Sequence, residues 1–189
     1  MDIRKHTDNF IKVLLNPILG WKKTNFSDVS FKNVIFPYLS GILIICFFSR
    51  IIGKSLSYLS ISSIQYIVFY ALLSLIVDYI FFVSLVLSIN VLLPYFDTKS
   101  DKDKIAVLML LSLMPFYASV VILNIFPSLY FLVIIAIYTF FILYWGTMNF
   151  LKIDKERQII FYALTCLITI GIYLILHFVI IYPFFEYYI

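Results

Sequence analysis

Apolar residues run almost without interruption over about 34–53, 64–93, 105–125, 128–150 and 158–182. Each run matches the roughly 20 residues that a helix needs to cross a bilayer. The pattern predicts an all-α, polytopic membrane protein: a five-helix transmembrane bundle over 34–189, preceded by a segment 1–33. The second run is the longest. At about 1.5 Å per residue it approaches 45 Å, so it must tilt, kink or project beyond a hydrocarbon core of roughly 30 Å.

Polar punctuation separates the runs. In "PYFDTKSDKDK" (94–104) Pro94 stops the second helix, and Ser100 with Asp103 has the spacing of a capping box that starts the third. Three aspartates alternate there with three lysines. The loop lacks the ligand spacing and the glycine of a calcium-binding EF-hand and reads as a solvated cap. "NIFPSLY" (124–130) is a tight turn with Pro127 placed to open the fourth span.

The lead segment "NFIKVLLNPILGWKKTNFSD" has a different period. Phe10, Val13, Leu14, Ile18 and Trp21 fall near one side of a helical wheel, while Lys5, Asp8, Lys12 and Asn16 fall on the other. This predicts an amphipathic helix in the membrane interface, with Trp21 at headgroup depth and Lys22 and Lys23 toward anionic phosphates. Asn16–Pro17 limits its length.

Charge fixes the expected orientation. The bases are Arg4, Lys5, Lys12, Lys22, Lys23 and Lys32 before the first span; Arg50 and Lys54 around loop one; Lys99, Lys102 and Lys104 in loop two; and Lys152, Lys155 and Arg157 in loop four. An N-terminus in the cytoplasm and a C-terminus outside put twelve of these 14 on the inner side. That asymmetry is what positively charged inner loops predict, and an even span count would spread the bases over both sides. Arg50 and Lys54 are thereby expected near the outer surface.

Composition agrees with the pattern. Of 189 residues 63% are hydrophobic and only 13% charged, too few polar groups to cover a soluble domain. The net charge of +4 is scattered singly and in pairs at span ends, so nucleic acid is excluded as a partner. No secretory signal is evident: bases are spread through the first thirty residues, and the N-terminus is expected to persist. Cys46 and Cys166 lie in apolar runs, where neither a disulfide framework nor a metal cluster can form, and are read as inert.

Enzymatic motifs are missing as well. His6 and His177 are predicted on opposite sides of the membrane, and no H-E-x-x-H, G-x-S-x-G or glycine-rich phosphate loop occurs. Neither an enzymatic activity nor a cofactor is expected. Tyr66, Tyr95, Trp145, Tyr182, Tyr187 and Tyr188 near span ends fit an aromatic belt.

Two residues break the apolar runs. Asp78 lies near the middle of the second span and Pro115 in the middle of the third. An unpaired carboxylate at that depth costs several kcal/mol. Asp78 is therefore expected to stay protonated, or to face the bundle and bond to a hydroxyl or to a carbonyl released by Pro115. Broken helices with an intramembrane acid also build midplane transport sites. Against transport stand the lack of an internal repeat and the lack of a base deep enough to neutralise Asp78. Gly41, Gly146 and Gly171, with Ser40, are expected to let helix backbones approach closely.

The second half has a recognisable order of features. "LSLMPFYASVVILNIFPSLYFLVIIAIYTFFILYWGTMNFLKIDKERQIIFYALT" carries Ser112 then Pro115 in span three, Pro127 in the turn, Tyr138 and Tyr144 in span four, Gly146 near its end, then a basic loop and a last span. In this order it resembles the Yip family, the Ypt/Rab-interacting integral membrane proteins and their bacterial relatives. "LLNPILGWKK" (14–23) is similar to the short Pro-then-Trp lead segment of the bacterial members.

The resemblance covers nearly the whole chain. It implies a five-span bundle with a cytoplasmic N-terminus and a non-enzymatic role, which in eukaryotic relatives is trafficking through Rab-type GTPases and mutual complexes. This sequence lacks the long soluble N-terminal region and the Asp-Leu-Tyr-Gly-Pro motif of those proteins, so Rab binding is not carried over. Asp78 is outside the pattern. The expected setting is a bacterial inner membrane, with an ER or Golgi membrane as the alternative. The expected partners are the lipid bilayer and other membrane proteins or the protein itself. The expected role is to organise such partners through helix packing, with a transporter or channel component using a site near Asp78 and Pro115 as the alternative.

Overall fold

A computed structural model describes residues 3–24, 26, 29–32, 36–57 and 64–185. Two short helices, α1 (Ile3–Leu15) and α2 (Pro17–Lys23), precede five long ones: α3 (Phe36–Ser57), α4 (Ile64–Leu92), α5 (Lys102–Ile125), α6 (Ile134–Asn149) and α7 (Lys155–Leu176). No strand occurs among the described residues. With their short flanking turns the long helices give five segments apolar and long enough to cross a membrane, from Phe36–Leu56 to Lys155–Ile181. The protein is an all-α polytopic bundle and, by these five helices, a multi-pass integral membrane protein.

The spans are not equivalent. In α5, 67% of the central stretch is buried, against 11% in α7. Every residue from Ile105 to Leu113 in α5 is buried, as expected for a helix apolar on all sides and surrounded by others. It packs on α3, α4 and α6. The α5–α6 hairpin predicted around Pro127 is present, although Pro127 opens a 3-10 turn (Pro127–Val133) before α6 begins.

The start of α5 differs from the expected cap. Asp101, not Ser100, is the N-cap, its carboxylate accepting from the Lys104 amide at 3.1 Å. Ser100 Oγ donates instead to the Asn90 carbonyl, and Asp103 accepts from the Phe31 amide at 2.6 Å. Aspartate at this position satisfies an orphan helix amide as serine would, which freed Ser100 and Asp103 for longer-range contacts. Across the same end of the bundle Arg157 pairs with Asp97 at 2.6 Å. The lead segment, loop two and loop four, which carry most of the bases, therefore share one end.

The lead segment breaks where Asn16–Pro17 predicted. Asn16 Oδ1 accepts from the Leu19 amide, and Pro17 occupies the first turn of α2. That break reorients α2, so a single helical wheel does not describe both pieces. Phe10, Val13 and Trp21 are buried against the bundle, while Ile18 is exposed with Ile11, Leu15 and Leu19. Trp21, expected at headgroup depth, has its ring inside protein. It donates Nε1–H to the Ile142 carbonyl at 3.2 Å and stacks on Phe150 with centroids 5.1 Å apart. Lys22 and Lys23 are exposed.

Candidate functional site

Asp78 is the central residue of α4 and is buried on the face that also carries Ser74, Val77 and Phe81. Its partner comes from α3. The Arg50 guanidinium lies 2.8 Å from the Asp78 carboxylate, and the two side chains are 7% and 3% exposed. This corrects two expectations: Asp78 is neither a lone acid nor bonded to a carbonyl freed by Pro115, and Arg50 is not at the surface. Arg50 stands about two turns inside the C-terminal end of α3, and its side chain turns inward to α4. The physical reason is mutual: each charge alone is too costly to bury, whereas together they are neutral.

The surroundings are polar in a sparse way. Tyr117 of α5, 2% exposed, Tyr173 of α7 and His177 just beyond its end lie within electrostatic reach of the pair, as do Cys46 and Tyr70. Cys46 approaches the Tyr117 carbonyl, which ties α3 to α5 beside the pair. Among the described residues the buried hydroxyls of Ser74 and Tyr117 have no hydrogen-bond partner. Pro115 is buried on α5 two residues before Tyr117, about 200° around the helix from it.

Immediately before Arg50, Ser49 accepts from Asn124 Nδ2 at 3.1 Å and donates to the Cys46 carbonyl. A Cβ on Gly53 would overlap the Asn124 carbonyl. Sequence reasoning missed Arg50, Gly53 and Tyr117. The available signal was that "CFFSRIIGKS" resumes its apolar run after Arg50, which puts that residue inside the helix.

Between the ends of α3, α4 and α7 lies a cleft of about 400 Å³ lined by Lys54, Tyr70, Tyr173 and His177 among others. It sits at the end of the bundle away from the lead segment. Tyr173 and His177 both line it and lie within electrostatic reach of the ion pair, with their rings 4.1 Å apart. The arrangement can hold charge at mid-bundle and admit a ligand from one end. Among the described residues no three His, Cys, Asp or Glu side chains converge to hold a metal.

Trp21, Lys22 and Lys23 are far from this cleft in the fold. They form a second feature, at the other end. There Gly146 faces both the Trp21 ring and Leu108, and a Cβ would meet both. Tyr138 donates to the Leu14 carbonyl at 3.0 Å. The segment is thus fastened to α6 at two points.

Comparison with protein-family models, with curated proteins and with solved structures yields no match.

Proposed function

We propose that this chain is a non-enzymatic integral membrane protein of the Yip-like type, which organises membrane or protein partners through helix packing. The observation that supports it most is the seat of Trp21 against Gly146 and Ile142. Two stretches that carry the sequence resemblance, the Pro-then-Trp lead and the glycine ending span four, meet in space and make the lead segment part of the bundle. A lead segment fixed in this way presents Lys22 and Lys23 outward on a firm base. The proposed setting is a bacterial cytoplasmic membrane with the N-terminus inside and the C-terminus outside. The partners are the bilayer and other membrane proteins or further copies of the chain, without Rab-type GTPase binding.

A second reading has its own observation. The Arg50–Asp78 pair removes the objection that no base neutralises the acid, and the cleft above it gives access from one side. This favours a transporter or channel component with its site around Asp78 and Pro115. Crosslinking in native membranes from residue 134 or 137, on the exposed face of α6, separates the readings from flux in proteoliposomes. The first expects one reproducible crosslinked membrane protein, lost with Trp21→Ala, and no flux. Solute flux that depends on Asp78, with no crosslinked partner, replaces it by the second.

A further inference from the structure

The lead segment is a hairpin, and its turn is fastened well inside the bundle. A Cβ on Gly20 would overlap the Val13 backbone and the Lys12 carbonyl, so α2 folds back on α1 with the two backbones in direct contact. Tyr138, whose hydroxyl donates to the Leu14 carbonyl, is the middle residue of the apolar span Pro127–Asn149. Gly146, which seats the Trp21 ring, lies about one turn from the end of that span. From Gly146 to Tyr138 the helix rises about 12 Å. The other leg agrees: Thr7 and Tyr38 share a hydrogen bond of 2.8 Å near the start of the span Phe36–Leu56, and from Thr7 to Leu14 α1 rises about 10 Å. Both legs place the turn at the depth of acyl chains, below the headgroups.

Backbone at that depth must have its polar groups satisfied without water. The turn meets this demand. Pro17 is buried and has no N–H to place. The Leu19 amide donates to Asn16 Oδ1, the Asn16 amide to the Lys12 carbonyl at 3.0 Å, and the Leu14 carbonyl receives the Tyr138 hydroxyl. The side chains on the outside of the turn are apolar. Ile11, Leu15, Ile18 and Leu19 are exposed, Leu15 by 79%, which is costly in water and favourable in hydrocarbon. The exposed charges of Asp8, Lys22 and Lys23 lie nearer the two ends of the hairpin. Lys12 is exposed about one turn before the tip, where its long stem can carry the ammonium back toward the headgroups.

We propose that α1 and α2 form a re-entrant hairpin that inserts Ile11, Leu15, Ile18 and Leu19 among the acyl chains of one leaflet, the one at the basic end of the bundle. The chain returns to the headgroups at Lys22 and Lys23. The partner of this surface is lipid hydrocarbon, and only the two ends of the segment occupy the interface. The hairpin widens the protein in that leaflet alone, a one-sided cross-section that the five spans do not supply. It rests on the membrane-spanning bundle and holds whether the chain organises partners or carries a solute.

The test is electron paramagnetic resonance of nitroxide labels on the full chain in proteoliposomes of phosphatidylcholine and phosphatidylglycerol. With Cys46 and Cys166 replaced, one label is placed by Leu15→Cys, Ile18→Cys or Lys23→Cys, and its collisions with oxygen and with a water-soluble nickel chelate are compared. The labels at positions 15 and 18 are expected to meet oxygen, to be shielded from nickel and to lie about 10 Å deeper than the label at position 23. Equal depths at the three positions lay the segment flat in the interface and overturn the proposal. Nickel access at position 15 or 18 lifts the turn into water and overturns it as well. Shielding of both positions from both reagents assigns the apolar face to a second copy of the chain, with the same consequence.

Discussion

At the scale of single residues, Asp78 and Arg50 carry the strongest energetic statement in the molecule. Removing one partner of a buried ion pair leaves an uncompensated charge and costs about 3–5 kcal/mol, whereas replacing both by apolar residues of similar size is often neutral. Asp78→Asn strands the Arg50 guanidinium, so it is expected to lower the thermal unfolding midpoint clearly in detergent. Arg50→Met with Asp78→Leu together is expected to recover most of the loss. A double variant no better than either single one shows that the pair is not a structural link between α3 and α4. A well-folded Asp78→Asn protein that has lost a solute flux moves the transport reading to first place. The acid itself was legible in the sequence, because a carboxylate in an unbroken apolar run stands out. Its partner was not, because Arg50 near a span end is the pattern of a topology signal. Only the relative depth of α3 and α4, set by packing, brings it to the middle of α4.

At the scale of elements, small residues were expected to mark close helix contacts, and half of that expectation failed. Among the described residues a Cβ on Gly41 or Gly171 meets nothing within 4 Å, so neither glycine marks a close approach between the described helices, and Ser40 instead bonds to Tyr79 of α4. Gly146 does sit at a contact, and Gly53, which the sequence pattern did not single out, marks a close approach of α3 to the Asn124 backbone of α5. Period alone cannot tell which face of an all-apolar helix meets protein and which meets lipid, since both solvents reward the same side chains. The same degeneracy hid the seat of Trp21, for which an aromatic at a membrane interface and an aromatic in a helix groove look alike in sequence. Gly53→Ala must push α3 from the Asn124 backbone and is expected to cost about 1–3 kcal/mol as an overpacking change. Gly41→Ala, in open space within a helix, is expected to be neutral or to gain about 0.5–1 kcal/mol. Thermal unfolding of the two variants side by side checks this, and equal effects would mean that the close approach at Gly53 is not present in the membrane.

At the scale of the whole molecule, five runs of apolar residues were enough to derive the bundle, because crossing hydrocarbon with a satisfied backbone leaves few alternatives to helices. The asymmetry of its two ends rests on charge. The bundle gathers the lead segment, loop two and loop four at one end, joined by the contacts of Phe31 with Asp103 and of Arg157 with Asp97. At the other end lies the mouth of the cleft with Lys54. Of the two bases assigned to that end, Arg50 is spent internally on Asp78, so the end rich in bases outweighs its opposite even more than a residue count suggests. Positive charge resists translocation, and this distribution predicts that the basic end faces the cytoplasm. With Cys46 and Cys166 first replaced, a single cysteine is placed by Ser100→Cys, Lys155→Cys or Ser57→Cys and treated with an impermeant thiol reagent in intact cells. The cysteines of loops two and four should be shielded until the membrane is opened, and the one at the end of α3 should react at once. Labelling of the Ser100→Cys protein in intact cells would invert the molecule and turn the cleft toward the cytoplasm.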